Sequence, residues 1–284
     1  MTEFIAQLLT NGLIAGSSIA VVALGFSLVY HTTRIFHIAY AAIYSLGGYM
    51  CWYFDVQLGM GFVVALCFAS FFSATSSVLI WLFLYKPLSR YGAAENELMV
   101  ASIGIMIMII YLISLVFGTD PKLPGPTSDQ LLSARTLQII TNGLLIILML
   151  VITNISDFGL KLRALRDNPH LIGRLGINSA ALTTLLFIVS GVLVGMEASL
   201  STYDLGISPF TGIHVFINAF IAVIAGGSGR VSGAVIGGFV LGMLQAIVVF
   251  FAGSAWILSV SFILLIAIML FKPDGITGIA NRND

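Results

Sequence analysis

Runs of roughly twenty residues almost free of charge recur from one end of the chain to the other, and their length settles the fold class before any motif is considered. A helix needs about 20 apolar residues to cross the hydrocarbon core of a bilayer, where only a helix or a closed barrel satisfies its own backbone. Stretches of that kind lie at about residues 8–30, 35–54, 61–84, 97–118, 137–156, 179–202, 233–251 and 255–271. A shorter one, 214–228, either crosses or re-enters. None shows the period-two alternation over about ten residues that marks barrel strands. Charged residues make up 8% of the 284, against about 25% in a soluble domain, which is too few to coat a globule in water. The expectation is an all-α integral membrane protein: a polytopic helical bundle of eight or nine transmembrane spans with broken helices, forming one domain over 1–284.

Lys plus Arg and Asp plus Glu are equal at 12 each, so bulk charge points to no nucleic acid or other polyanion. Met1 to Thr10 carries Glu3 and no Lys or Arg, unlike the basic start of a secretory signal, and is read as mature protein. Cys51 and Cys67 lie in apolar stretches, where a reduced thiol packs as a small hydrophobe, and no disulfide is expected between them.

Basic residues of short loops gather on the cytoplasmic side. The loop Asp157 to Asn178 holds Lys161, Arg163, Arg166 and Arg174. Placing it inside also places Arg34, Lys86 and Arg90 inside and puts the N-terminus outside. If 214–228 crosses, Arg230, Lys272 and Arg282 join them, which favours nine spans and a cytoplasmic C-terminus. Lys122 and Arg135, in the loop Thr119 to Thr136, fall outside and oppose the rule.

Within the basic loop, Asn168 and Pro169 form a helix start and Gly176 a stop. The piece between, about 169–175, places Leu171, Ile172 and Leu175 on one face. A helix that short is marginal alone in water. Its apolar face either packs on the protein's own helix ends or the lipid interface, or inserts into a groove on a cytoplasmic partner.

Glycines are densest at Gly226, Gly227, Gly229, Gly233, Gly237, Gly238 and Gly242. Gly233 with Gly237 and Gly238 with Gly242 are small-xxx-small pairs for close helix packing. Gly227, Gly229 and Gly233 miss the G-x-G-x-x-G spacing by one, and no P-loop lysine follows. The segment reads as a broken helix beside a cavity, and no cofactor is expected on this chain.

Ionisable and amide side chains inside spans are costly and face a cavity or a partner. The candidates are His37, Glu197, His214, Asn218, Gln245, Asn11 and Asn142. Glu197 lies in an otherwise apolar span, toward its outer end. It is a proton site, a helix–helix bond or a wetted group at the interface. Tyr40 and Tyr44 stand one turn apart, either in an interfacial aromatic belt or along a pathway. The four histidines lack the i, i+4 pairing of a zinc helix, and G-x-S-x-G is absent, so neither a metal site nor an enzyme is expected.

The order and spacing of several motifs carry a resemblance over about Leu9 to Gly278. They are Asn11-Gly12-Leu13 with Gly16-Ser17, Ala23-Leu24-Gly25 and Tyr30; Leu175-Gly176-Ile177-Asn178; Pro209, Gly212 and Ala219-Phe220; Gly226-Gly227-Ser228-Gly229, Gly233 to Gly238 and Leu241-Gly242; and Lys272-Pro273-Asp274-Gly275-Ile276. On these the chain resembles the permease subunits of ATP-binding-cassette importers of the branched-chain amino-acid type, a family that also covers urea and short-amide permeases. The resemblance implies a paired permease, identical or related, two cytoplasmic ATPases that bind ATP and Mg, and a periplasmic substrate-binding protein. It implies an inner-membrane location and no ATPase site on this chain. It also implies that 169–175 is the coupling helix, with Pro169, Leu171, Ile172, Arg174 and Leu175 at the ATPase contact. The expected solute pathway takes His37, Tyr40, Tyr44, Asn218 and Glu197. One departure stands out: where the family usually reads Asn-Phe-Ala-His-Gly, this chain reads His37-Ile38-Ala39-Tyr40-Ala41, so the family's substrate transfers poorly. A stand-alone carrier or channel coupled to protons through Glu197 is the competing expectation, and a structural scaffold a third.

Overall fold

The computed structural model describes residues 2–123, 128–167, 176–227, 231–272 and 275–276, with side chains left out for 2–4 and 128–134. Eleven α-helices are described: α1 Thr2–Thr33, α2 Tyr40–Trp52, α3 Phe62–Ile80, α4 Lys86–Arg90, α5 Glu95–Phe117, α6 Ser128–Ile155, α7 Asp157–Asp167, α8 Ser179–Leu205, α9 Thr211–Gly226, α10 Val231–Ala252 and α11 Ile257–Phe271. Seven described stretches are long and apolar enough to cross a membrane, beginning with Ile5–Thr33 and ending with Ser254–Phe271. α9 is a shorter apolar helix. The eight or nine expected spans thus resolve into seven long ones, α9, and α2. α2 begins at Tyr40, not near residue 35, and continues as a π-turn over Tyr53–Gln57. A second π-turn, Trp81–Tyr85, joins α3 to α4 within one continuous helix, Phe62–Arg90. Such turns are single-turn departures from regular helix geometry that continue the helix; at the glycine segment expected to be a broken helix, α9 ends at Gly226 and α10 starts at Val231, with 228–230 outside the described residues.

The bundle is arranged around α1, whose most apolar stretch is 83% buried within the chain, against 6% for Ser254–Phe271. Small residues make that possible. A Cβ on Gly242 would run into the backbone of Gly16, and one on Gly238 would stand 2.7 Å from Ala20 Cα, so α10 lies directly on α1. α8 meets α3 the same way, where a Cβ on Gly191 would stand 2.6 Å from Ala74 Cα. Close backbone approach of this kind is how helices gain contact where lipid is as apolar as the side chains. Peripheral helices instead turn large residues outward, among them Phe71, Phe83, Leu115, Val116, Ile140 and Phe271. That is the surface a bilayer solvates.

Contacts between helix ends fix the direction of each helix. Arg135 near the start of α6 meets Asp204 near the end of α8. The π-turn after α2 reaches α8 through a hydrogen bond from the Tyr203 hydroxyl to Asp55. Lys122 and Ile207 pair as an isolated antiparallel bridge, with N–H···O distances of 2.8 and 2.9 Å. The N-terminal halves of α1, α6 and α9 and the C-terminal ends of α2, α5, α8 and α10 therefore share one face, which carries Lys122. At the opposite face α7 packs on the end of α1, and the Ile276 N–H donates to the Ala225 carbonyl at the end of α9. α7 itself occupies the first half of what sequence reads as a basic loop, and it buries Gly159, Leu162 and Leu165. Residues 168–175, and with them Pro169, Leu171, Ile172, Arg174 and Leu175, lie outside the described residues. Gly176 has a φ of 77°, the left-handed conformation that favours glycine. Cys51 is buried and Cys67 exposed, and both are free.

Candidate functional site

A helix that presents a polar side chain every three or four residues lays them in one stripe, and three such stripes converge here. On α1 they are Asn11 and Ser18, on α6 Arg135 and Gln138, on α8 Glu197, Ser201 and Asp204. All line one cavity of about 260 Å³, with Tyr44 of α2, Asn218 of α9 and Gln245 of α10 completing its polar wall. Ile14, Ile19 and Val215 supply apolar wall. The volume is near the lower end of ligand pockets, roughly 300–1,000 Å³, and the mixture of apolar wall with few polar groups is typical of them. A wider space of about 520 Å³ adjoins it, sharing Asn11, Ala15, Arg135 and Gln245 and reaching Gln7 and Ile257. Both belong to the face that carries the N-terminus of α1.

Glu197 is the innermost charge of this cavity and is fully buried. Gln138 Nε2 donates to its Oε1 at 3.3 Å and to Ser18 Oγ at 2.9 Å. One turn further along α6, Asn142 Nδ2 lies 3.5 Å from Ser17 Oγ, whose own proton goes to the Ile14 carbonyl. At the mouth, Arg135 Nε donates to Asp204 Oδ1 at 2.7 Å. On the far wall Asn218 Oδ1 accepts from Gln245 Nε2 at 3.1 Å and from Ser261 Oγ at 3.0 Å.

An apolar layer floors the cavity. Ala20, Val21 and Leu24 of α1, Ile146 and Met149 of α6, and Leu186 and Leu193 of α8 form one buried cluster. Below it, at the face that carries α7, a second cavity of about 390 Å³ is bounded by His31, Thr32, Asn154, Arg163 and Arg166. The two openings thus stand at opposite ends of the same helices. Along α1 the interval from Ser18 to Leu28 is about 15 Å of helix.

Of the expected pathway residues, the structure brings Tyr44, Asn218 and Glu197 together. His37 and Tyr40 stand elsewhere. His37 is enclosed between Tyr85 and Phe187, with Nδ1 2.8 Å from the Tyr85 hydroxyl. That hydroxyl donates to Ser102 Oγ at 2.7 Å, and Ser102 also accepts from the Ala39 N–H at 2.9 Å. Tyr40 packs against Gly25 and donates to the Ser190 carbonyl at 3.2 Å. His214 is exposed. Of the glycines, a Cβ on Gly226 would meet the Gly233 carbonyl and one on Gly237 the Ala222 carbonyl. Gly227 has a φ of 106° and ends α9, while Gly229 lies outside the described residues. Ser18, Gln138 and Asp204 are not among the residues the sequence points to, and Ser17 and Arg135 enter there only as a motif residue and a loop charge. Their signal is helical spacing of one or two turns: Gln138 and Arg135 from Asn142 on α6, Asp204 from Glu197 on α8, and Ser18 from Asn11 on α1.

Residues 8–269 match the family model described as the branched-chain amino acid transport system / permease component. The probable branched-chain amino acid transport permease protein LivH of Methanocaldococcus jannaschii is 26% identical, over 96% of this chain and 92% of that protein. The high-affinity branched-chain amino acid transport system permease protein BraD of Pseudomonas aeruginosa is 28% identical, over 96% of this chain and 95% of that protein. The corresponding LivH of Escherichia coli K12 is 27% identical, over 97% and 96%. Among solved structures, PsaBC from Streptococcus pneumoniae in complex with Fab matches 94% of this chain and 92% of its own with a TM-score of 0.57 at 14% identity, a likeness of fold alone. The chain belongs to the family of permease components of branched-chain amino acid transport systems.

Proposed function

We propose that this chain is the membrane-spanning subunit of an ATP-binding-cassette importer, moving a small amino acid or related compound from a periplasmic binding protein into the cytoplasm. Family membership across nearly the whole chain is the observation that carries this reading. In it the chain sits in the inner membrane with the N-terminus of α1 periplasmic and the α7 face cytoplasmic, and pairs with a second permease, identical or related. Two ATPase subunits bind ATP and Mg and press on 169–175 through Pro169, Leu171, Ile172, Arg174 and Leu175. The solute passes Tyr44, Asn218 and Glu197, which share the cavity at the periplasmic face. Delivery into a polar cavity closed below by an apolar layer is what alternating access requires of its outward state.

The carboxyl of Glu197, buried without a cationic partner among the described residues, is the one observation that favours the other reading, a proton-coupled carrier working alone. Purification separates the two. Tagged chain from native membranes is expected to bring ATPase subunits with it, and Ile172→Asp to release them while the chain still folds. Chain that comes out alone, and that drives uptake into nucleotide-free, proton-loaded vesicles unless Glu197 is changed to Gln, overturns the importer reading.

A further inference from the structure

The cavity at the α7 face gathers cationic groups around a buried histidine. Gly159, Arg163 and Arg166 line it from α7, spaced by four and three residues and so on one side of that helix. Close packing holds this side in place: a Cβ on Gly159 would run into the Thr153 carbonyl, so α7 lies directly on the last turn of α6. α1 supplies His31 and Thr32 to the opposite wall.

Among the described residues that bound the cavity, two carry guanidinium groups and none a carboxylate. Arg166 Nε meets Asp167 at 3.1 Å. Arg163 gives Nη1 to the Thr153 carbonyl at 3.1 Å, a neutral acceptor, and forms no ion pair among the described residues. Arg163 is exposed and Arg166 half-buried, so the positive charge stands where an anion enters. His31 is enclosed, 5% exposed, and its Nε2 makes no hydrogen bond. Native proteins leave few buried polar atoms in that condition.

The group that fits brings negative charge and oxygens for donors on two different helices. Water serves the imidazole and leaves the charge unbalanced. Chloride balances charge and has no use for about 390 Å³. A carboxylate offers two oxygens in one plane. A phosphate offers oxygens tetrahedrally, and guanidinium forks grip it well. Leu28, Leu162 and Val231 add apolar wall for what the phosphate is attached to. Val231 also opens α10, whose N-terminal end favours an anion. The C-terminal ends of α1 and α6 oppose it, and Arg163 offsets one of them by capping Thr153. Depth agrees as well. His31 and Thr32 lie in the last turn of the spanning stretch Ile5–Thr33, the level at which lipid headgroups begin.

We propose that His31, Thr32, Arg163 and Arg166 form a phosphate-binding site, filled by the phosphate of a lipid headgroup or by soluble phosphate. The site goes beyond the permease reading and stands without it.

The test uses the full chain in maltoside detergent, which carries no phosphate, and follows thermal unfolding. Sodium phosphate, sodium acetate and sodium chloride are compared at matched ionic strength, and dioleoylphosphatidylglycerol is compared with dioleoylglycerol in mixed micelles. A saturable rise in unfolding temperature is expected with a phosphate source, and none with acetate, chloride or the diacylglycerol. A rise with inorganic phosphate shows that the phosphate alone suffices, and a rise confined to phosphatidylglycerol names the lipid. Arg163→Gln should raise the half-saturating concentration about tenfold or more, as loss of a charge-assisted hydrogen bond does. His31→Phe keeps a ring and removes the unpartnered nitrogen, so it should weaken the response about fivefold without lowering the unliganded unfolding temperature. If Arg163 only caps α6, Arg163→Gln lowers the unliganded temperature and leaves the response to phosphate unchanged. That result, a response to acetate equal to that to phosphate, or no response to either phosphate source overturns the inference. Should Arg163→Gln not fold, His31→Phe decides alone, and a wild-type response in it overturns the site.

Discussion

Arg135 and Asp204 close the mouth of the cavity at the N-terminal end of α1 with one hydrogen-bonded ion pair, Nε to Oδ1 at 2.7 Å, that ties α6 to α8. Asp204 stands two turns along α8 from Glu197, on the same face, and takes the one guanidinium that lines the cavity. The arginine side chain is 46% exposed and the aspartate 9%, so water screens the pair and its energy is modest. A double-mutant cycle with Arg135→Ala and Asp204→Ala, read by unfolding in nanodiscs, should give a coupling of about 0.2–1 kcal/mol. A coupling above about 2 kcal/mol would mean that the mouth is dry.

The His37, Tyr85 and Ser102 chain should behave in the opposite way. Tyr85 has one proton and gives it to Ser102, so its oxygen is left to accept from His37 Nδ1 at 2.8 Å. All three residues are buried. Tyr85→Phe strands His37 Nδ1 and leaves Ser102 only the Ala39 N–H, at a cost of about 1–3 kcal/mol. Removing Ser102 as well should cost less than the sum of the single changes, because the second partner no longer needs the first. Additive losses would show that the three do not act as one network.

The bundle was legible in the sequence because lipid imposes a length on every span, and nothing else in a chain this apolar competes with that signal. α7 was not legible. Lys161, Arg163 and Arg166 make the segment read as a solvated loop, while Leu162 and Leu165 between them are buried in the bundle. α2 was read as one more span starting near 35, but Ser45, Gly47 and Gly48 let it sink into the core on all sides. The cavity was half visible. Glu197 and Asn142 stand out as polar groups in apolar runs, yet the facts that make a site of them join residues 59 and 125 positions apart. No local pattern reports which stripe of one helix faces which stripe of another.

The glycines separate by what stands over them, and alanine distinguishes the two kinds. At Gly237 a new Cβ meets the Ala222 carbonyl and at Gly242 the Gly16 backbone, neither of which moves without parting two helices. Gly237→Ala and Gly242→Ala should each cost about 1–3 kcal/mol. At Gly104 and Gly143, inside α5 and α6, a Cβ meets nothing within 4 Å. There alanine should be neutral or stabilise the isolated chain by up to about 1 kcal/mol through helix propensity. Thermal unfolding of the four purified variants checks this. Destabilisation by Gly104→Ala equal to that by Gly237→Ala would show that close approach is not what sets these positions.

Tyr40 and Tyr44, one turn apart on α2, should part company once their hydroxyls are removed. Tyr44 lines the cavity beside Glu197 and Ser201. Tyr40 is sealed from it, with its hydroxyl against the Ser190 carbonyl. The phenyl ring keeps the packing in both cases, so what is lost is one polar contact worth about 0.5–1.5 kcal/mol. In Tyr44→Phe that loss falls on the proposed solute route, and uptake per assembled transporter in proteoliposomes should drop about two- to tenfold with assembly intact. In Tyr40→Phe it falls on the fold, lowering the unfolding temperature and leaving uptake per complex unchanged. Equal losses of uptake in both variants would mean that α2 acts through packing alone, and unchanged uptake in Tyr44→Phe would take its hydroxyl out of the route. A fall in uptake confined to Tyr40→Phe would place the route on the other face of α2, away from Glu197.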